Sequence, residues 1–342
     1  MADTAQAQRT HPNLVRNWGT VMQTCNPPKG RVDTVSKWLV LTRACVQPMT
    51  LTAAAVAGLL AVHAPGFNSL LFGLAAVGIV LAHASNNLMN DLFDLDVGAD
   101  TEDYPRALYA PHPVLSGMIT RSGLLRAAAV VNALDLAILV ALALLRDPWV
   151  LAFALGGFLV SAGYAAPPLR LKKHGLGEPS VLLVWGPLMV GGTYYAAVGH
   201  LPWHVVADTI PYALLCTAVL MGKHLDKLEW DAPKGVGTLP VLLGERRARV
   251  LTQALMAGFY VSIGALAATG ALSAWSLVAL LGVTRLVPVW RVYSKPKPDG
   301  PPPEYPDYPI WPLWFTAAAF VHARRAGALF VLGLVLAALL PG

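Results

Sequence analysis

The chain has 342 residues, of which 56% are hydrophobic and only 13% are charged, and its mean hydropathy is +0.54. A soluble domain carries about 25% charged residues, so this composition excludes an ordinary soluble protein, and it equally excludes disordered, collagen-like and coiled-coil chains. Since a membrane-spanning helix needs about 20 apolar residues, the composition predicts a polytopic membrane protein. The cysteines at 25, 45 and 216 have no CxxC spacing and predict neither a disulfide framework nor a zinc site.

The first element in chain order is a polar segment, residues 1–36, which predicts a cytoplasmic tail. In the remaining residues, 37–342, apolar runs predict an all-α domain of nine transmembrane helices. These runs cover 45–63, 69–89, 123–145, 148–166, 180–198, 205–223, 250–270, 272–290 and 326–341. The last run is short, and the aromatic stretch 309–323 is expected either to extend it or to lie at the membrane interface.

The loops between the predicted helices alternate in charge. The basic ones are the N-terminal segment and residues 90–122, 167–179, 223–249 and 291–325. Nine helices place all five on one side, which the positive-inside rule makes cytoplasmic. This distribution accounts for the net charge of +6 without a nucleic-acid partner. Because the other loops are short, any chemistry is expected on the cytoplasmic side.

Nine of the 19 carboxylates form two dense clusters within two of these basic loops, where membrane topology does not require them. The first cluster ends the second predicted helix in the sequence HASNNLMNDLFDLDVGAD. One helical face presents His83, Asn87, Asn90, Asp91 and Asp94. Amide and carboxylate oxygens are the ligands that Mg²⁺ prefers, usually one or two carboxylates together with substrate phosphates. The pattern therefore predicts a magnesium site, with a solvated helix end as the alternative.

The second cluster, MGKHLDKLEWDAPKGVGT, ends the sixth predicted helix. Asp226 and Asp231 are about 140° apart on an ideal helix, so they can share an ion only if the helix unwinds. Lysines at 223 and 227 lie among the acids, and ammonium groups beside carboxylates suit a metal–diphosphate complex. The alternative is an ion-paired helix end.

Two acidic clusters at one mouth of a nine-span helical protein resemble the UbiA superfamily of intramembrane prenyltransferases. Residues 90–94, NDLFD, are similar to the NDxxD core of the family's first motif. The family's last Asp falls on Gly98 and the next acid is Asp100, an ending similar to the menaquinone-type (MenA-like) branch. Residues 164–178, YAAPPLRLKKHGLGE, resemble the family's Y-x-x-PP-L-K-x-K-x-x-GxGE segment. The resemblance covers most of the chain from Arg43 onward.

The second motif departs from the family pattern. Anchored on Gly235 and Thr238, the family's DxxxD falls on Lys227 and Asp231. Either Asp226 replaces the missing carboxylate through local unwinding, or Lys227 holds part of the diphosphate.

The resemblance implies a central cavity, open to the cytoplasm and to lipid, in which a polyprenyl diphosphate binds on Mg²⁺ between the two motifs. The prenyl group would pass to an aromatic acceptor, such as a quinone precursor, with release of diphosphate, in the cell (inner) membrane. The implied catalytic residues are Asn90, Asp94 and Asp231, and the implied metal ligands are Asn90, Asp91, Asp94, Asp226 and Asp231. The predicted substrate-binding residues are Arg43, Asn87, Arg106, Tyr164, Lys172, Lys223 and Lys227.

Three other functions remain open on the sequence. A terpene cyclase would use the same metal site without an acceptor. An ion-coupled transporter would have inverted repeats and broken helices near the midplane, whereas the acids here lie at helix ends. A non-catalytic scaffold would not need the acidic clusters. The sequence leaves the acceptor, the prenyl chain length and the oligomeric state undetermined.

Overall fold

The structure, a computed structural model, describes residues 14–27, 32–96, 110, 112–304, 306, 308 and 310–340, without the side chains of Asp94, Asp96 and Ala165. These parts of the chain are almost entirely helical. The helices are α1 Leu14–Thr24, α2 Thr34–Leu41, α3 Gln47–Ala61, α4 Ser69–Asp96, α5 Arg121–Leu145, α6 Val150–Ala165, α7 Gly177–Leu183, α8 Gly191–Val198, α9 Trp203–Asp226, α10 Leu228–Asp231, α11 Leu239–Leu243, α12 Glu245–Ala268, α13 Val283–Tyr293 and α14 Trp314–Leu339. Short 3₁₀ segments cover Ala44–Val46, Leu171–Lys173 and Ala274–Gly282.

The all-α membrane fold is confirmed, and each predicted apolar run falls on a helix. In the described part of the chain, eight helical stretches are long and apolar enough to cross a membrane. A further apolar helix, α6, is 16 residues long, which is about 24 Å against a hydrocarbon core of about 30 Å. The predicted count of nine is therefore not confirmed. The aromatic stretch before the last run extends it, because α14 starts at Trp314.

One span changes its helical type in the middle. Between α7 and α8, Val184–Val190 forms a π-helical turn that contains Pro187. Proline has no backbone N–H and cannot continue the regular i to i−4 ladder, so the wider turn keeps the span continuous. The turn directs Trp185 toward the rings of His83 on α4 and Tyr212 on α9, with centroids 5.5 and 6.5 Å away.

Helices α4 and α9 run in the same direction, which fixes where the two acidic clusters lie. The backbone N–H of Asn68, just before α4, donates to the carbonyl of Ala197 at 2.8 Å. Helix α9 starts at Trp203, shortly after that carbonyl. Both helices therefore start at one end of the bundle, and both carry their acidic clusters at the other. We name these the opposite end and the motif end.

At the opposite end, Arg146 connects the end of α8 to the α3–α4 loop. Its guanidinium donates to the carbonyls of Ala196 at 3.0 Å, Ala197 at 2.6 Å and Val198 at 3.4 Å. A fourth contact reaches the carbonyl of Gly66 in the α3–α4 loop at 3.3 Å. Because the last carbonyls of a helix have no partner within it, one side chain here satisfies the end of α8 and joins it to a neighbouring loop.

The N-terminal segment, predicted only as a polar tail, contains two helices attached to the bundle. Asp33 caps α2 by accepting from the Ser36 backbone N–H at 2.9 Å, and it also accepts from Trp18 Nε1 on α1 at 3.1 Å. Hydrogen bonds from Ser36, with its side chain contributing most, hold the pKa of Asp33 below its ordinary value. Cys25 and Cys45 form a disulfide with their Cα atoms 5.3 Å apart, so the prediction of no disulfide framework is wrong for this pair.

Candidate active site at the motif end

The first acidic cluster lies on the last turns of α4, which stays helical through Asp96 as the residue spacing predicts. Asp91 is fully buried and forms an ion pair with Arg43. Its backbone carbonyl accepts from His112 Nε2 at 3.2 Å. Asn87 is also buried and donates from Nδ2 to the carbonyl of Thr42 at 3.2 Å. A predicted metal ligand and a predicted acceptor-binding arginine are thus in contact with each other.

Two other predicted residues of this region, Asp94 and Arg106, have side chains that the structure does not describe. Asn90 is half-buried on α4, one residue before the ion-paired Asp91. Asp94 belongs to the same helix, but its side chain is not described. Arg106 lies in residues 97–109, outside the described residues.

The second cluster begins where α9 ends. Lys227 leaves the helical conformation, with φ −101° and ψ 0°, and the short helix α10 follows. The helix therefore unwinds between Asp226 and Asp231, at Lys227. Lys227 and Asp231, the two residues on the DxxxD positions, are both buried, whereas Glu229 between them is exposed.

Asp226, an implied metal ligand, is hydrogen-bonded to the start of α14. Its Oδ1 accepts from the backbone N–H of Phe315 at 2.9 Å. Its Oδ2 accepts from the backbone N–H and the hydroxyl of Thr316 at 2.8 and 2.6 Å. Both carboxylate oxygens thus cap the first turn of α14, where backbone N–H groups have no partner within the helix. Asp226 is thus a helix cap, and its role as a metal ligand stays a prediction.

Lys297, which the sequence analysis does not include, lies over the same helix end. Its Nζ donates to the carbonyl of Asp226 at 2.9 Å and lies 5.2 Å from the ring centroid of Trp230 and 5.4 Å from that of Trp311. Burial lowers the pKa of Lys297, while the charges of Asp226 and Glu229 act in the opposite direction. The segment after α13 is therefore fixed against the second cluster.

A hydrogen-bonded array joins three helix ends at the motif end. Tyr164, in the last turn of α6, has its hydroxyl 3.1 Å from His224 Nε2 on α9. His224 Nδ1 lies 2.6 Å from Oε1 of Glu178, in the first turn of α7. His224 and Glu178 are both buried. Tyr164 is a predicted site residue and Glu178 is not, although Glu178 belongs to the segment that resembles the family.

The loops before α7 and before α11 pair directly. His174 and Gly237 form a parallel β-bridge. A Cβ atom on Gly237 would lie 2.6 Å from the carbonyl oxygen of Lys173, so only glycine allows this approach. Half-buried Lys172, a predicted phosphate ligand, belongs to the same loop. This pairing holds the lysine-bearing loop beside the second cluster.

Below the motif end, aromatic and polar side chains join α3 to α4 and α9. His83 Nδ1 is 2.6 Å from the hydroxyl of Thr50, and the hydroxyl of Tyr212 donates to the carbonyl of Met49 at 2.7 Å. His83 precedes Asp91 by eight residues on α4, which is about 12 Å along the axis. The interior beneath the acidic clusters is therefore lined by rings and apolar groups.

Among the described residues, no three His, Cys, Asp or Glu side chains are grouped so that they could hold a metal ion by themselves. The side chain of Asp94 lies outside the described part of the structure. The predicted site therefore rests on amide and carboxylate oxygens contributed by both clusters.

The model of the UbiA prenyltransferase family matches residues 51–305, well over half of the chain. The chain belongs to the UbiA prenyltransferase family. The predicted resemblance is thereby confirmed, and it includes both acidic clusters and the loops between them.

The relatives of this UbiA family member include several proteins named 1,4-dihydroxy-2-naphthoate octaprenyltransferase. The one from Haemophilus influenzae is 32% identical over 54% of this chain and 61% of its own length. The one from Escherichia coli is 28% identical over 75% of this chain and 84% of its own length. The match to the Haemophilus protein thus spans about three fifths of that relative.

Solved structures show the same fold. A UbiA homologue from Aeropyrum pernix superposes with a TM-score of 0.61 at 21% identity, over 85% of this chain and 97% of that one. A UbiA homologue from Archaeoglobus fulgidus, bound to GPP and Mg²⁺, gives a TM-score of 0.55 at 18% identity, over 86% of this chain and 99% of that one. At these identities, the likeness establishes the architecture of the UbiA family member.

Proposed function

We propose that this protein transfers a prenyl group from a polyprenyl diphosphate to an aromatic acceptor of the dihydroxynaphthoate class, within the membrane and with Mg²⁺. One observation carries the proposal: both acidic clusters and the lysine-bearing loop lie at one end of an apolar bundle. Such an arrangement suits a substrate with an anionic head and a hydrocarbon chain. The names of the Haemophilus and Escherichia relatives support the choice of acceptor.

The oxygen donors at the motif end fit magnesium. We propose Asn90, Asp94 and Asp231 as the residues that hold it, since Asp226 caps α14 and Asp91 pairs with Arg43. A ligand set with few carboxylates matches the habit of Mg²⁺ to complete its coordination with substrate phosphates and water. When bound, the ion neutralises charge on the departing diphosphate. The Archaeoglobus UbiA homologue is bound to GPP and Mg²⁺, which supports a role for the ion in the proposed reaction.

The departure in the second motif then has a chemical interpretation. Lys227 is buried on a position where the family pattern has Asp, and Asp226 is occupied by α14. Of the two alternatives left by the sequence, the capping role of Asp226 favours the second, in which Lys227 neutralises part of the diphosphate. Lys172, Lys223 and Arg106 are proposed to complete the cationic environment, which stabilises the leaving group as the carbon–oxygen bond breaks.

The rest of the reaction takes place on the apolar side of the motif end. Breaking the bond to diphosphate leaves an allylic cation, which an electron-rich aromatic carbon attacks to form a carbon–carbon bond. That carbon then loses a proton to restore its aromatic ring. Tyr164 lies at this end, and the electron-rich face of a tyrosine ring stabilises a nearby cation. Excluding water from the site prevents hydrolysis of the cation.

We further propose that residues 37–342 form the catalytic domain and that the motif end faces the cytoplasm. The basic loops named in the sequence analysis support this orientation, since cytoplasmic loops carry an excess of Lys and Arg.

The test is product formation by the purified protein in lipid nanodiscs. It is incubated with Mg²⁺, prenyl diphosphates of several lengths and 1,4-dihydroxy-2-naphthoate, and the lipid extract is analysed by mass spectrometry. We expect a prenylated naphthoid product and a loss of at least about 100-fold in Asp231→Asn, which weakens stabilisation of the leaving group. Glu229→Gln, at an exposed acid of the same cluster, is the matched control.

Two results would contradict the proposal. A hydrocarbon product formed without acceptor would assign a terpene cyclase instead. Unchanged prenyl diphosphate of every length, from protein that is folded by size-exclusion chromatography, would remove the proposed transferase function.

A further inference from the structure

The array of Tyr164, His224 and Glu178 joins three segments that are far apart in the chain. Tyr164 and His224 are 60 residues apart, and His224 and Glu178 are 46 apart. His224 and Glu178 are 1% and 2% exposed. A buried histidine between a carboxylate and a phenol is held in one orientation, because each ring nitrogen has its own partner.

The geometry assigns direction to the two hydrogen bonds. An ionised carboxylate only accepts, so the bond between Glu178 and His224 Nδ1 requires the proton on Nδ1. In the neutral imidazole, Nε2 is then an acceptor, and the hydroxyl of Tyr164 donates to it. Glu178 thereby determines which way the phenol O–H points, although it does not contact the phenol.

Gly177 shows how closely the parts of this array approach. A Cβ atom on Gly177 would lie 3.1 Å from Cε2 of Tyr164, 3.5 Å from Cα of Lys172 and 3.6 Å from Cε1 of His224. The tyrosine ring, the histidine ring and the backbone of a predicted phosphate-binding lysine thus meet around one glycine. Any shift of the histidine would move the tyrosine ring relative to Lys172.

We propose that Glu178 and His224 are positioning residues, which act on the reaction by holding Tyr164 in place beside Lys172. This inference rests on the proposed function, in which Tyr164 stabilises the allylic cation. With its O–H directed to His224, the phenol has its electron-rich ring and oxygen lone pairs available for the reacting group. Without Glu178 and His224, the ring of Tyr164 would rotate away and the cation would lose this stabilisation.

A double-mutant cycle tests whether Glu178 acts through Tyr164. We expect Glu178→Ala to lower kcat about 10-fold with KM for the prenyl diphosphate within about threefold, because the loss concerns the transition state. Glu178→Gln retains an acceptor for Nδ1–H and should recover most of the activity. Tyr164→Phe should lower kcat about 10-fold, and adding Glu178→Ala to it should lower kcat by less than about threefold more.

Independent effects of Glu178→Ala and Tyr164→Phe on kcat would overturn the proposal. If the two substitutions multiply to about 100-fold, Glu178 acts by a route other than the Tyr164 hydroxyl. Ser180→Ala is the matched control on α7, since the Ser180 hydroxyl donates only to the carbonyl of Leu176 in the adjacent turn, at 2.6 Å. Full activity in Glu178→Ala would overturn the proposal as well.

A second measurement does not depend on turnover. Protein labelled with ¹⁵N-histidine in nanodiscs is compared with His224→Asn to assign the ring nitrogens of His224 by NMR. We expect a neutral ring protonated at Nδ1, and a ring protonated at Nε2 would overturn the array. If the expected form is present but no acceptor is prenylated, the array stands and the proposed function fails, so the two failures are distinguishable.

Discussion

Asp226 shows how a residue in a metal-binding motif can serve a structural purpose. Its carboxylate lies 1% exposed inside the protein, where an unpaired charge would be costly. Three donors from α14 compensate for that cost, and the positive end of the helix dipole adds to them. The residue therefore joins the end of α9 to the start of the last helix, and in the proposed site Asp231 is the carboxylate of this pair that binds the metal.

The substitution Asp226→Asn distinguishes capping of α14 from metal binding. Asparagine keeps the size of the side chain but replaces one acceptor oxygen with a donor, so the cap on α14 is weakened. We expect a loss of about 1–2 kcal/mol in stability, seen as a lower melting temperature in detergent. The Mg²⁺ concentration for half-maximal activity should stay within about twofold, since the proposed ligands are Asn90, Asp94 and Asp231. An unchanged melting temperature with a strongly increased Mg²⁺ requirement would contradict the capping role of Asp226. Glu229→Gln serves as the control.

The sequence could locate the candidate site residues but not their partners. Spacing along a single helix was enough to place Asn87 and Asp91 on one face of α4, because helical periodicity is local. The contacts of Arg43 with Asp91 and of Glu178 with His224 join residues 48 and 46 positions apart, and no local pattern reports them. Lys297 was missed for the same reason, since its contact with Asp226 spans 71 positions.

At the scale of elements, the loop before α7 and the loop before α11 depend on a close backbone approach. The bridge between His174 and Gly237 fixes the lysine-bearing loop against the second cluster. Helix positions were predictable from apolar runs, yet this pairing was not. The family segment indicates the residues of each loop, while their contact depends on how α7 and α9 pack.

Gly237→Ala tests that pairing. A Cβ atom would meet the carbonyl oxygen of Lys173 at 2.6 Å, and a backbone atom has little freedom to move away. We expect the loops to separate, with a cost of about 1–3 kcal/mol in stability and a rise in KM for the prenyl diphosphate as Lys172 is displaced. Gly264→Ala, on α12 with no atom within 4 Å of the new Cβ, is the matched control. If Gly237→Ala has the same melting temperature and the same KM as the unsubstituted protein, the bridge is not needed.

At the scale of the whole molecule, the two clusters lie at the same end only if the chain crosses the bundle an even number of times between them. The short helix α6 is the critical element. It starts at Val150, four residues after Arg146 at the opposite end, and its last turn carries Tyr164 at the motif end. Although it is shorter than the other spans, α6 therefore runs from one end to the other. The alternating loop charges predict the same reversal of direction at α6, and the count of nine spans stays a prediction.

Cysteine labelling tests the proposed orientation. In a variant without native cysteines, Lys234→Cys reports the motif end and His200→Cys reports the opposite end, since both positions are exposed. A membrane-impermeant maleimide should label position 200 in intact cells, and position 234 only after the membrane is permeabilised, because basic loops are retained in the cytoplasm. The reverse pattern would place the acidic clusters outside the cell, where a diphosphate substrate made in the cytoplasm could not reach them without crossing the bilayer. Labelling of both positions in intact cells would show instead that the bundle does not separate the two ends.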